Sequence, residues 1–195
     1  DMARKDDLTP ENLPIQKQAP EPAHEEAQEP EFALTEEEAQ RAMEFFRQEQ
    51  NLFAGTLAGL VAAVTGAAIW AAVTVATEYQ IGWMAVGIGF LVGVAVRQVG
   101  KGVDQVFGIV GAVMALLGCV LGNVFTVAYF IAGQTGTPLT EVLAQIDVDT
   151  LLELLASTFQ VMDLLFYAMA VYFGYRYAFR ELTMDDFNRA LGRAL

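Results

Sequence analysis

The chain has 195 residues and a net charge of −13, yet 54% of it is hydrophobic and its mean hydropathy is +0.37. A soluble domain spreads its charge over its whole surface. Here residues 1–50 hold fourteen Asp/Glu against five Lys/Arg, a net of −9, while residues 52–179 carry few charges. That segregation excludes an ordinary soluble domain, and the acidic balance leaves no basic face for nucleic acid.

Residues 1–34 are rich in Pro, Glu, Gln and Ala. They hold too little apolar surface to offset the entropy of ordering, which predicts a disordered, acidic and Pro-rich cytoplasmic tail with no signal-peptide stretch. Residues 35–51 read as an amphipathic cytoplasmic helix that follows the membrane surface or runs into the first span. Thr35 and Glu38 have capping-box spacing, and Ala39, Met43, Phe46 and Phe53 fall near one face. A transmembrane domain is expected over residues 52–180, with spans at about 53–77, 81–97, 106–132 and 158–179, since about 20 apolar residues cross a bilayer core. The first of these has 25 residues without a charge.

Between the spans lie a polar turn at 78–80, a loop at 97–105, and a break at 133–138. Leu139, Val142, Leu143 and Ile146, then Leu151, Leu152, Leu154 and Leu155, predict interfacial amphipathic helices over 139–157, capped at Asp149 or Thr150. Residues 181–195 read as a cytoplasmic amphipathic tail whose helix starts at a Thr183/Asp186 capping box. The expected fold is an all-α polytopic membrane protein with four transmembrane helices and both termini cytoplasmic.

Cation placement orients that fold, because Lys and Arg collect in short cytoplasmic loops. Arg4, Lys5, Lys17, Arg41 and Arg47 precede the first span, Arg97 and Lys101 separate the second from the third, and Arg176, Arg180, Arg189 and Arg193 end or follow the fourth. Residues 78–80 and 133–157 hold none, only Glu78, Glu141, Asp147, Asp149 and Glu153. Tyr172, Phe173, Tyr175, Tyr177 and Phe179 crowd the cytoplasmic end of the fourth span as headgroup-level anchors.

Small residues recur at four-residue spacing: Gly55, Gly59 and Ala63 in the first span, Gly89 and Gly93 in the second, Gly118 and Gly122 in the third. Close backbone approach and dispersion hold helices together in lipid, so these are helix-packing residues. Packing within the chain is their first use. The first span adds a second row, Ala54, Ala58, Ala62 and Gly66, broader than one neighbour needs, which points to a homo-oligomer or a membrane-protein partner.

Chemistry is sparse. With His24 the only histidine, paired-His haem ligation, the usual zinc sets and a Ser-His-Asp triad drop out, and no phosphate-binding or nucleophile-elbow motif is present. The lone Cys119 sits in an apolar run and reads as a small buried hydrophobe. No cofactor or metal is expected. Asp163, read as about one and a half turns into the fourth span, and Asn123 in the third are the possible polar membrane site, the former an ion or proton site or a carboxyl at headgroup depth.

The stretch Thr77-Glu-Tyr-Gln-Ile-Gly-Trp-Met-Ala-Val-Gly-Ile-Gly-Phe-Leu-Val-Gly-Val-Ala-Val-Arg97, the Gly-rich third span and Gly174-Tyr-Arg-Tyr177 resemble segments of uncharacterised bacterial small membrane proteins. The resemblance implies a multi-pass protein of the bacterial cytoplasmic membrane and brings no activity or site residues. The expected function is a non-enzymatic membrane subunit or scaffold that self-associates or binds a partner through Gly/Ala-rich faces. The alternative is an oligomeric channel or transporter using Asp163 and Asn123.

Overall fold

The computed structural model describes residues 34–158 and 160–193, which carry α-helices and no strand. In chain order these are α1 (Glu36–Glu49), α2 (Leu52–Thr77), α3 (Trp83–Gly100), α4 (Gln105–Thr135), α5 (Leu139–Ala144), α6 (Val148–Thr158), α7 (Val161–Tyr177) and α8 (Met184–Ala190). The tail expected over 1–34 falls, apart from Leu34, outside the described residues, as does His24.

Local chemistry sets several boundaries differently from the hydrophobic pattern. The helix expected over 35–51 stops at Glu49, and α2 starts afresh because the Asn51 side chain accepts a hydrogen bond from the Ala54 N–H at 2.9 Å. The second span does not end at 97: α3 runs through Arg97 to Gly100 and closes on Lys101, whose φ of 49° bends the chain left-handed. The third does not break at 133: α4 runs on to Thr135 and ends at Gly136, whose φ of 70° suits a residue without Cβ. The expected amphipathic helices over 139–157 are two, α5 and α6, and the residue capping the second is Asp147, which accepts from the Thr150 N–H at 2.8 Å, rather than Asp149 or Thr150. The fourth apolar segment starts at Val161 rather than 158 and ends at Tyr177.

Four helices pack up-down-up-down. Gly55 faces Gly100 and Gly66 faces Ile88, so α2 and α3 are antiparallel; Gly118 faces Ala63 and Gly122 faces Trp70, so α4 runs parallel to α2. Gly89 meets Ala170 and Gly93 meets Tyr177, which sets α7 parallel to α3. In cross-section they form a diamond: α3 and α4 touch each other and both outer helices, whereas α2 and α7 do not meet. The core between them is built from Ala63, Trp70, Ile88, Val92, Val96, Phe107, Ala115, Cys119, Tyr167 and Ala170. Helices α5 and α6 lie against α4 at one end, and α1 and α8 touch each other at the opposite end.

Among the described residues three helices, α2, α3 and α4, are long and apolar enough to cross a membrane. Leu57, Val61, Phe90, Ile109 and Val113 lie exposed along them. An outward apolar face and an inward seam of small residues is how membrane helices distribute their side chains.

Candidate functional site

All seven small residues predicted to pack helices touch other helices of their own chain. A Cβ on Gly55 would lie 3.0 Å from Gly100 Cα, and one on Gly59 would lie 2.8 Å from Val96 Cγ2. On Gly89 it would come within 2.8 Å of Ala170 Cα, and on Gly93 within 2.8 Å of Tyr177 Cβ. On Gly118 it would lie 2.7 Å from Ile88 Cγ2 and 3.3 Å from Ala63 Cα, and on Gly122 it would lie 3.1 Å from the Trp70 ring. The tightest crossing pairs Gly111 of α4 with Gly174 of α7. A Cβ on Gly111 would collide with the Gly174 carbonyl oxygen, and one on Gly174 would lie 2.5 Å from the Gly111 carbonyl oxygen. The sequence marks both as small, but no spacing rule pairs one with the other across 63 positions.

The two residues of the predicted polar site part company. Asp163 lies in the first turn of α7, not one and a half turns in, and its carboxylate accepts the Gln160 backbone N–H at 2.8 Å. It caps its own helix start, where an anion also meets the positive end of the helix dipole. Asn123 is 5% exposed, inside the bundle. The Tyr167 hydroxyl, one turn inward from Asp163 on α7, donates to the Cys119 carbonyl at 3.3 Å and lies beside the Asn123 amide. Asn123 Nδ2 and Thr74 Oγ1 make no directed hydrogen bond among the described residues. Thr126 by contrast returns its hydroxyl to the Gly122 carbonyl at 2.8 Å. Asn123 and Tyr167 thus lie together, and Thr74 and Thr126 are further buried polar residues of an otherwise apolar core.

A dense polar assembly closes the end where α1 and α8 sit. Arg180 pairs with Glu49 at 2.7 Å and with Asp186 at 3.2 Å, and its guanidinium lies 5.0 Å from the centre of the Phe46 ring. Its backbone N–H donates to the Gly102 carbonyl at 2.8 Å. Phe46 meets Phe187 edge-on, joining α1 to α8. Arg47 pairs with Asp104 at 3.1 Å, Gln50 donates to the same carboxylate, Arg97 pairs with Glu181 at 2.7 Å, and Arg193 pairs with Glu38. Gln50 holds the Asp104 carboxyl below the usual carboxylate range, with Arg47 adding to the effect. The backbone and hydroxyl of Thr183 do the same for Asp186, helped by Arg180. The predicted Thr183/Asp186 capping box is part of this clasp: Asp186 accepts the Thr183 N–H at 3.0 Å. The inner face of α1 is Ala42 and Phe46; of the face read through Ala39, Met43, Phe46 and Phe53, Phe46 is buried, Ala39 and Met43 are partly buried, and Phe53 is exposed and belongs to α2.

The opposite end is purely acidic among the described residues. Glu78, Glu141, Asp147, Asp149, Glu153 and Asp163 lie there without a Lys, Arg or His in residues 133–158 or 160–163. The Thr150 hydroxyl and N–H hold the Asp147 carboxyl below its usual range, so it is charged at neutral pH. Near this end a hollow of about 350 Å³ opens between α2, α4 and α5, lined by Ala68, Ala71, Ala72, Phe125, Tyr129 and Leu143, among others. Comparison with protein-family models, with curated proteins and with solved structures finds no match to this chain.

Proposed function

We propose that the chain is a four-span subunit or scaffold of the bacterial cytoplasmic membrane, non-enzymatic, with the α1 and α8 ends on the cytoplasmic side. The observation that carries this reading is the contact between α1 and α8 through Phe46, Phe187 and Arg180. Two flanks that touch at one end of a bundle require an even number of crossings between them. With α2, α3 and α4 as three, α7 is the fourth. Its 17 residues span about 25 Å, the lower limit for a membrane helix. Its outer face, Val161, Met162, Leu164, Leu165 and Tyr172, is apolar and exposed, as a lipid-facing side must be. Arg97, Lys101, Arg176 and Arg180 fall at the α1/α8 end and the acidic segments at the other, which agrees with cations kept inside.

The surface for self-association is the half of the second small-residue row of α2 that remains open, since Ala62 and Gly66 are buried within the bundle. The named glycines are occupied by internal packing, but Ala54 and Ala58 remain half-exposed. With Leu57, Val61 and Thr65 of α2 and Leu91, Ala95 and Val99 of α3, they line a shallow groove of about 480 Å³. A second copy could lay a helix there at short backbone distance. Ala58→Cys in a Cys119→Ala background is expected to form a covalent dimer on mild oxidation in native membranes. Leu164→Cys, on the exposed face of α7, is the negative control. A chain monomeric in mild detergent, with no co-purifying protein and no cross-link at position 54 or 58, would sink the scaffold reading. Nothing in the placement of Asp163 and Asn123 favours the channel alternative, since one caps its own helix and the other is enclosed beside Tyr167.

A further inference from the structure

The four packed helices present apolar belts of unequal height. On α2 no charge interrupts Leu52–Thr77, 26 residues or about 39 Å of helix. On α4 exposed apolar side chains run from Val106 to Ile131, about 38 Å. On α7 the belt is bounded by Asp163 in the first turn and Arg176 in the last, which leaves Leu164 to Tyr175, 12 residues or about 18 Å. The neighbouring α3 is cut short in the same way. Its exposed Trp83 stands at one end and Arg97, paired with the exposed Glu181, at the other, with about 21 Å between them. The two short belts adjoin, since Trp83 meets the Phe166 ring edge-on at 5.8 Å and Phe90 meets Tyr177 at 5.0 Å.

We propose that the face formed by α3 and α7 thins the bilayer beside it and takes short-chain phospholipids as its neighbours. The inference rests on the four-span reading of the chain. A bilayer core is about 30 Å thick, which α2 and α4 fill with length to spare, whereas the α7 belt falls short of it by about 12 Å. Arg176 is exposed, so its guanidinium must reach headgroups or water. Snorkelling returns only one side-chain length, and tilt shortens the belt further. The other end of α7 is equally fixed, because its first-turn N–H groups and Asp163 need a polar layer. A shorter hydrocarbon layer satisfies both ends of α3 and α7 at once. Trp83 and Tyr172, both exposed, then lie at its two interfaces, where amphipathic rings are favoured.

The test uses single cysteines carrying a nitroxide in the full chain, reconstituted in dioleoyl phosphatidylcholine, with the buried Cys119 unlabelled. Collision with oxygen marks hydrocarbon depth, and collision with a nickel chelate marks headgroup depth. Val161→Cys and Tyr172→Cys, 11 residues apart at exposed positions of α7, are both expected at headgroup depth. Leu60→Cys and Ala72→Cys, 12 residues apart at exposed positions of α2, are both expected at hydrocarbon depth. No tilt or vertical shift of the bundle in a flat core of about 30 Å gives both results. A second readout is thermal unfolding in dimyristoleoyl, dioleoyl and dierucoyl phosphatidylcholine. Arg176→Leu, which extends the α7 belt to Phe179, should gain stability over the wild type as the chains lengthen. Either α7 label at hydrocarbon depth, one α2 label as shallow as those on α7, or an Arg176→Leu difference independent of chain length would overturn the proposal. Nickel-chelate access at all four positions would instead overturn the membrane reading beneath it.

Discussion

Gly111→Val is expected to prevent α7 from docking, with loss of the native thermal transition or a fall of about 10 °C or more in detergent micelles. At this crossing the obstacle is backbone on both sides: a Cβ at 111 meets the Gly174 carbonyl oxygen and lies 2.9 Å from Ala178 Cβ. Overpacking a dense core costs about 1–3 kcal/mol when side chains can rotate away. A carbonyl inside a helix cannot, so the cost belongs at or above about 3 kcal/mol, which corresponds to roughly 10 °C for a chain of this size. Gly174→Val should match it, because each glycine faces the other's carbonyl. Gly87→Ala is the contrast. No atom lies within 4 Å of a Cβ there, and alanine favours the helix by about 1 kcal/mol, so its transition should stay put or rise. Equal melting of Gly111→Val and wild type would mean that α7 does not cross α4 here.

Arg180→Gln should free α1 and α8 while leaving α2, α3 and α4 protected. The guanidinium side chain is 18% exposed, bridges Glu49 and Asp186, and lies over Phe46. Hydrogen bonds to charged groups contribute about 1.5–3 kcal/mol, so a net loss equal to one of the two, about 2 kcal/mol, should raise amide exchange in α1 and α8 by roughly thirtyfold. Arg180→Lys should recover only part of the protection, because an ammonium cannot span two carboxylates as a planar fork does. Acid should produce the same release in the wild type. Asp104 and Asp186 have folded-state pKa values below the ordinary 3.8. Their contribution is therefore complete above about pH 4 and drains away as pH falls through the lower folded-state values. Protection of α1 and α8 that is flat from pH 7 to 4.5 and falls below 3.8 fits this account. Loss centred near pH 6 contradicts it.

The apolar lengths made the all-helical fold and its three long apolar helices legible, because they follow from transfer energies that act on single residues. Helix ends were less legible where tertiary contact overrode local polarity. Arg97 looked like a terminus, but its charge is met by Glu181 and α3 continues until Gly100 packs on Gly55. Asp163 looked intramembrane because the apolar run obscured the helix start at Val161; its role as a cap depends on Gln160, which no pattern singled out. The Gly55, Gly59, Gly89, Gly93, Gly118 and Gly122 spacings signalled packing without saying against what. Partner choice arises only when all four helices are assembled. The Phe46–Arg180–Phe187 clasp was invisible for the same reason, since it joins residues more than 130 positions apart.

The central claim is the even number of crossings between α1 and α8, and thiol labelling from one side of the membrane tests it most directly. Cys119 is fully buried and gives a silent background. Single cysteines at the exposed positions Lys101, Asp185, Tyr79 and Val148 would be reacted with a membrane-impermeant maleimide in intact cells and in inverted vesicles. The account predicts that 79 and 148 label only in intact cells and 101 and 185 only in inverted vesicles. Labelling of 185 together with 79 and 148, opposite 101, would mean an odd number of crossings and contradict it.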